Sequence, residues 1–351
     1  MEEWPVGKIG RRATAGEAEM NPNSTFMRNW RSLCFLAAAL AFGAGGAAQA
    51  ASQPEFVTLG TAGGPIIHLE RSQAANAVVV DDAVYLFDTG NGVQRQMRAA
   101  GLPLDRVRAV FISHHHLDHN ADLGPLLMNR WLQGRYDPIP VIGPPGTKRM
   151  VTRMAAAFQP TVYAPIMIGG PPKPGLLKTL LLRDLPKTVD TPYIVFEDDK
   201  VRVLAIANDH FHFAPGSVEQ RVSRSYSYRI ESRGRTMVYT GDTGPSANLE
   251  LLARDADLLV TEVIDMPLTV ERLRRPEIRP EMIDGLAAHM ERDHLTPSAI
   301  AQLAKRARVK KVVLTHLVPS VDGRRDLSGF TEGLRGVFDG EVIVANDLDK
   351  F

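Results

Sequence analysis

The segment His114-His115-His116-Leu117-Asp118-His119 places five titratable side chains within six positions. It follows directly on the apolar run Val107 to Ile112, which reads as a buried strand, so the cluster sits on the loop at that strand's C-terminal end. In an extended segment alternate residues share a face, so His114 and His116 can offer two imidazoles to one ion. The chain then turns, and Asp118 with His119 can face a second ion beside it, while His115 and Leu117 fall on the other face. Crowding such groups after an apolar strand is costly unless something binds them. Imidazole and carboxylate without thiolate suit zinc, with iron or manganese as alternatives.

One loop cannot complete two coordination spheres, so further ligands must come from distant segments. Asp242 follows the strand-like Val238-Tyr239-Thr240 and Gly241, which permits close backbone approach. A carboxylate there can bridge two cations, although Gly-Asp-Thr is also an ordinary turn. His316 ends the run Val312-Val313-Leu314-Thr315, and taken alone it could equally be a structural histidine. His210 ends the run Val201 to Ile206, and His212 points the same way as its competitor, with His210 preferred. If these strands share a sheet edge, their polar ends converge on one place.

The elements that must do this positioning are legible as alternating runs. Short strands lie at 56–59, 77–80 and 84–87, with Asp81-Asp82 as a tight turn. Helices are expected at 93–100, 121–134 and 146–158; strands at 193–197, 201–206, 226–230 and 237–240. Strand and helix then alternate: strands 258–263, 311–315 and 341–345, with helices near 280–291, 297–308 and 327–338. The stretch 160–190 contains Gly169-Gly170-Pro171-Pro172-Lys173-Pro174-Gly175 and reads as a protruding arm or lid without regular structure. Helices outside two sheets, an α/β protein of αββα architecture, suit this order. Residues 51–351 are expected to form one domain.

The first fifty residues differ in character. A basic stretch, Met27 to Ser32, precedes the apolar run Leu33 to Phe42 and the small-residue site Ala48-Gln49-Ala50. That is the pattern of a secretory signal cleaved near Ala50, leaving no stable membrane anchor and a periplasmic or secreted protein. Met1, Met20 and Met27 are alternative starts. Cys34 is the only cysteine and lies inside that segment, so the mature chain has no disulfide, thiol nucleophile or thiolate ligand. A net charge of +1 over 351 residues offers no general attraction for nucleic acid or membrane.

His114-x-His116-x-Asp118-His119, Gly241-Asp242-Thr243 and Leu314-Thr315-His316 resemble the metal motifs of the metallo-β-lactamase superfamily. The resemblance implies an αββα sandwich with two metal ions, two Zn2+ per chain, with Asp242 bridging and His210 and His316 each completing one ion. Leu59 to Pro65, Leu86 to Gly92, Gly143-Pro144-Pro145-Gly146 and Val344 to Phe351 are similar to motifs of ribonuclease Z and its exported and arylsulfatase-like relatives. That likeness covers essentially all of residues 55–351. It implies hydrolysis of a phosphodiester or sulfate ester by a metal-bound hydroxide, with Asp118 orienting the nucleophile. Glu262 and His294 are implied as a relay that protonates the leaving group, and Asp88 as a buttress of the histidine loop. Without that relay His294 reads as a residue at a helix start capped by Thr296.

Three features depart from ribonuclease Z. Thr261 stands where a histidine usually precedes the relay glutamate, and Gly90-Asn91-Gly92 replaces the usual Gly-Glu-Gly. The 160–190 stretch has only Lys173, Lys178, Arg183 and Lys187 as basic residues, thin for a polyanion clamp. The expected partner is therefore a small-molecule or nucleotide ester, without an extended nucleic-acid surface. Hydrolysis of a carboxylic ester, lactone or β-lactam, cytoplasmic 3′-tRNA processing and a non-catalytic metal-binding relative remain alternatives. The resemblance also implies a homodimer, for which no residue here speaks.

Overall fold

A computed structural model describes residues 52–164, 173–320 and 322–351. The secretory segment and its cleavage site near Ala50 lie outside the described residues, as does most of the Gly169–Gly175 run. Among the described residues no helix is long and apolar enough to cross a membrane.

Two sheets form the frame. The first, 6-stranded, runs in chain order: β1 (Glu55–Gly60), β2 (Ala75–Val80), β3 (Ala83–Thr89), β4 (Val107–Phe111), β5 (Ile139–Gly143) and β6 (Leu180–Asp184). The second, 7-stranded, contains β7 (Tyr193–Glu197), β8 (Arg202–Ala207), β9 (Tyr226–Ser232), β10 (Arg235–Tyr239), β11 (Leu258–Ile264), β12 (Lys311–Val318) and β13 (Glu341–Val344). Its spatial order is the chain order read backwards, from β13 to β7. Each sheet is mixed: β1–β2–β3 and β7–β8–β9–β10 pair antiparallel, while β3–β4–β5–β6 and β10–β11–β12–β13 pair parallel.

Strict alternation along the strands builds three apolar layers. Tyr85 and Phe87 of β3 face Tyr228, Met237 and Val260 in a core between the sheets. The intervening Val84 and Leu86 join a second layer under the helices Leu123–Leu132 and Thr147–Ala157. On the other sheet Val313 points inward, while Val312 and Leu314 pack outward against the helix Pro297–Arg306. Strands buried on both faces need apolar residues at consecutive positions, which is why β3 and β12 read as near-continuous hydrophobic runs. The αββα architecture expected from the sequence is the one observed.

Two expectations need correction. Residues 160–190 are not a single irregular arm: Gln159–Tyr163 is helical, and Leu180–Asp184 is β6, paired in parallel with β5 from Ile139↔Leu180 to Gly143↔Asp184. The Gly/Pro composition next to it obscured the apolar Leu180-Leu181-Leu182, which belongs to the sheet edge. Residues 327–338 do not form an α-helix but a 3-10 turn at Ser328–Phe330 followed by turns. Gly333 and Gly336 sit there at φ 89° and 81°, and residues in the left-handed region break helical continuity. Apolar spacing suggested a helix, and Phe330, Leu334 and Phe338 are indeed buried, but from a turn. The helices Ala247–Ala253 and Met266–Leu273 were not foreseen.

The segment after β13 returns to β1. Phe56 and Phe351 exchange backbone hydrogen bonds. The Asp347 carboxylate accepts from Thr61 N at 2.9 Å, Thr61 Oγ1 at 2.7 Å, Ser72 N at 2.7 Å and the Gln96 amide. Asp347→Ala leaves two backbone donors without their partner, so we expect a loss of about 2 kcal/mol in urea unfolding, since hydrogen bonds to a charged acceptor contribute about 1.5–3 kcal/mol each but water reaches this site. An unchanged midpoint would show that the clasp is ornamental.

Candidate metal centre

Four strand ends meet at one edge of the sandwich. His114, His116, His210 and Asp242 bring ligand atoms within 4.8 Å of one another, and so do Asp118, His119 and His316. The split within the histidine segment matches the expectation, with His114 and His116 in one group and Asp118 and His119 in the other. Asp242 joins them: Oδ2 lies 3.8 Å from His114 Nε2 and 4.0 Å from His210 Nε2, while Oδ1 lies 3.3 Å from both His119 Nε2 and His316 Nε2. One carboxylate oxygen thus faces each group.

His212 is not in the cluster. It is exposed, and its Nδ1 pairs with Asp293 Oδ1 at 2.9 Å, whereas His210 lies in the group with His114, His116 and Asp242. His115 faces Thr147 instead, at 3.4 Å, and Leu117 is 64% exposed.

Whether these residues fit metal ions can be judged from their own distances. His210 Nε2 and His116 Nδ1 are 3.2 Å apart, and so are His119 Nε2 and His316 Nε2. Two nitrogens bound to a tetrahedral zinc at about 2.0–2.1 Å lie about 3.3 Å apart, the edge of the tetrahedron. His114 Nε2 and Asp242 Oδ1 are buried without a hydrogen-bond partner. Buried polar atoms are rarely left so, and a cation satisfies both. Burial holds His114 well below its ordinary value, lowers His116 and takes His210 down to about 4. Burial would raise Asp118, but His119 and His316 outweigh it and hold the carboxyl at about 2. Burial would lower His119 and His316 as well, but the Asp242 and Asp118 carboxylates outweigh it and raise both, so a cation in that group would take the place of their protons.

Behind the ligands a network fixes their orientation. Asp88 accepts from His119 Nδ1 at 2.8 Å, Ser113 N and Oγ at 2.7 Å each and the Tyr239 hydroxyl at 2.7 Å. The Nδ1–H of His119 is thereby committed, leaving Nε2 for the site. His210 Nδ1 donates to the Asp293 carbonyl at 2.9 Å with the same result, and Gly64 N donates to Asp118 Oδ2 at 3.0 Å. Asp88 acts as the buttress expected, whereas Ser113, Tyr239, Gly64 and the Asp293 carbonyl were missed. Backbone donors and acceptors leave no side-chain signature; only Ser113, next to the histidines, was open to inference.

Local backbone irregularity aims these groups. Asp88 (φ 61°) and His316 (φ 42°) are in the left-handed region that non-glycine residues seldom enter. Both occupy breaks in strand register. The β2–β3 pairing passes from Asn76↔Phe87 to Ala75↔Thr89, leaving Asp88 extra. The β11–β12 pairing passes from Thr261↔Leu314 to Val263↔Leu317, so Glu262 opposes both Thr315 and His316. Bulges re-aim side chains at sheet rims, and here they turn Asp88, Glu262 and His316 toward the centre. Gly241 (φ 59°) fits the same logic, since a Cβ there would stand 2.7 Å from the Ser113 Cβ.

Glu262 and His294 adjoin both groups. Glu262 is fully buried; Oε2 accepts from His294 Nδ1 at 2.7 Å, and Oε1 accepts from Thr243 N at 2.7 Å. Burial works against charge on His294, yet Glu262 prevails and raises it to about 9. Its ring centroid lies 5.3 Å from that of His210 and 6.4 Å from that of His316, next to one residue of each group. Thr296 caps the following helix by accepting from Ala299 N, so the helix-start reading of this segment also holds, without accounting for the buried glutamate.

Comparison with known proteins agrees with this arrangement. Residues 84–317 match the family described as Beta-lactamase superfamily domain. The ribonuclease Z of Mycobacterium sp. (strain KMS) is 32% identical over 274 residues, spanning 76% of this chain and 85% of that protein. The ribonuclease Z of Mycolicibacterium gilvum (strain PYR-GCK) is 30% identical over 310 residues, 84% of this chain and 95% of that protein. Among solved structures, the short form of human tRNase Z superposes with a TM-score of 0.58 at 22% identity, covering 85% of this chain and 98% of that one. The Bacillus subtilis protein YhfI, described as a metallo-beta-lactamase fold protein, gives 0.57 at 18% identity with the same coverage. The chain belongs to the β-lactamase superfamily, in its metallo-β-lactamase-fold branch. It is a metal-dependent hydrolase of ester bonds, with ribonucleases Z among its homologues.

Two substitutions separate buttress from bystander. Asp88→Asn offers one acceptor oxygen where four donors converge, and metal affinity should fall about 10–100-fold in competition with a chromophoric chelator. Tyr239→Phe removes one donor and should cost about 1 kcal/mol of stability, with metal affinity nearly unchanged. Equal effects on affinity from both would contradict the role given to Asp88.

Proposed function

We propose that this chain is an exported dinuclear zinc hydrolase that cleaves phosphodiesters or sulfate esters. The observation that carries the reading is the buried Glu262–His294 pair beside a seven-residue His/Asp cluster split in two by Asp242. Such a cluster with no proton donor would serve reactions whose leaving group departs unaided; the pair serves esters whose oxygen needs a proton.

His114, His116, His210 and Asp242 would hold one ion, and Asp118, His119, His316 and Asp242 the other. When bound, such ions supply Lewis acidity and an ionised water near neutral pH. Asp118, fixed by Gly64 N–H, orients the attacking oxygen by accepting its hydrogen bond. His294 donates a proton to the departing ester oxygen, and Glu262 holds the ring in the orientation and charge state that this requires. Zinc suits a donor set of imidazole and carboxylate. The secretory pattern of residues 27–50 supports export to the periplasm or beyond.

Likeness to ribonucleases Z favours a second reading, removal of transfer-RNA 3′ trailers. The sparse basic residues of 160–190 and the secretory pattern weigh against it.

Two measurements test the proposal. Purified protein from zinc-supplemented medium should carry two equivalents per chain by elemental analysis, and clearly fewer would tell against the dinuclear reading. His294→Ala should lower kcat about 10²–10⁴-fold on esters with poor leaving groups, the range general-acid catalysis contributes. The same variant should cleave p-nitrophenyl esters nearly as well as wild type, and equal losses on both would remove His294 from the proton transfer. A panel of phosphodiester, sulfate, lactone and β-lactam substrates separates the ester classes.

A further inference from the structure

A cleft of about 450 Å3 is lined among others by Phe211, Phe213, Lys187, Arg221 and Arg224, and Phe211 also packs on three of the proposed metal ligands. We propose that it is the subsite for the non-reacting arm of the ester, and that it takes a planar ring carrying a second negative charge. The inference rests on the ester-hydrolase reading above and adds the substrate class.

Position is the first ground. Phe211 packs edge-on against two proposed ligands, 5.8 Å from the His114 ring and 5.3 Å from the His116 ring, and 4.7 Å from that of His210. It also stacks on Phe213 at 5.1 Å and 21°. The aromatic wall of the cleft is therefore in contact with the metal cluster. A group bound against Phe211 and Phe213 would belong to the same molecule as an ester placed at the metal cluster. Aromatic faces hold flat rings by offset stacking.

Charge is the second ground. Lys187, Arg221 and Arg224 line the cleft with no carboxylate among its lining residues, and among the described residues none of the three is ion-paired. Three cations without a counter-charge on the cleft wall are a local excess in a protein of net charge +1. Arg224 is held by backbone carbonyls: Nε donates to Lys187 O at 3.0 Å, and a terminal nitrogen to Gln220 O and Ser223 O at 2.6 Å each. It ties the Lys187 loop to the segment carrying Arg221 and fixes the charge in place. Arg221 donates to the Gly216 carbonyl and is exposed. A fixed guanidinium with donors to spare suits phosphate or sulfonate.

A nucleotide and an anionic aryl ester share this chemistry, so the test has two arms. The zinc-loaded protein is assayed on thymidine 5′-(p-nitrophenyl phosphate) with and without a 3′-phosphate, and on phenyl p-nitrophenyl phosphate with and without a sulfonate on the phenyl ring. The second anion should raise kcat/KM about tenfold or more in one pair, the worth of one charge-assisted contact, and the responding pair identifies the source. Arg221→Ala and Lys187→Ala, on separate segments, should each remove most of that gain, read as the ratio of kcat/KM within the responding pair and carried by KM. No gain in either pair, or a gain that survives both substitutions, overturns the proposal. If none of the four is cleaved, the phosphodiester reading fails and the cleft is judged by calorimetry. Thymidine 3′,5′-bisphosphate should then bind wild type at least tenfold more tightly than Arg221→Ala, and equal binding overturns the subsite as well.

Discussion

The buried carboxylate of Asp88 is the constraint on which the rest of this structure depends. It is fully buried at the rim of the sandwich, and a buried polar group is costly unless it is hydrogen-bonded. Its donors come from Ser113 just after β4, from His119 in the short helix Leu117–Asn120 that follows, and from Tyr239 at the end of β10 in the opposite sheet. Three of these four donors belong to the segment after β4, and the Tyr239 hydroxyl reaches Asp88 from the second sheet. The hydrogen bonds that satisfy this carboxylate therefore also hold the histidine segment beside the strand that leads to Asp242.

Mirror-like sheets explain why the site lies at this rim. In each sheet an antiparallel half adjoins a parallel half, so several strands end on the same side and release their loops there. Parallel strands alone would deliver side chains only at their ends. The two register breaks extend that reach, bringing Glu262 and His316 inward from within the β11–β12 pairing. Irregular backbone at Asp88 and His316 is strain retained where function requires it.

Much of this was legible from residue type and order. The histidine segment announced both ligand groups because alternation along an extended chain is a strong geometric rule, and apolar runs located nearly every strand. What escaped was of a different kind. β6 was hidden by the Gly/Pro run beside it, since composition averaged over a window outweighs five residues of strand. The turns at 328–338 share the apolar spacing of a helix, and only the left-handed Gly333 and Gly336 distinguish them. The choice of His210 over His212 depended on Asp293, which uses its carbonyl for one and its carboxylate for the other. Backbone partners of this sort belong to tertiary structure and are invisible in a string of letters.

The clasp around Asp347 bears on the order of assembly. β1 is fastened to Asp347 across 286 positions, and to Phe351 farther still. Closing so long a loop is slow, because the entropic cost falls due before the contacts that reward it. His316 comes before the clasp in the chain, so every group that could hold an ion is already present while the first sheet is still open at that edge. An ion captured early could staple β4, β8, β10 and β12 together and shorten the remaining search. Metal would then act as a folding partner before it acts in turnover, and the rate at which the protein matures would depend on the ion supply of the compartment where it folds.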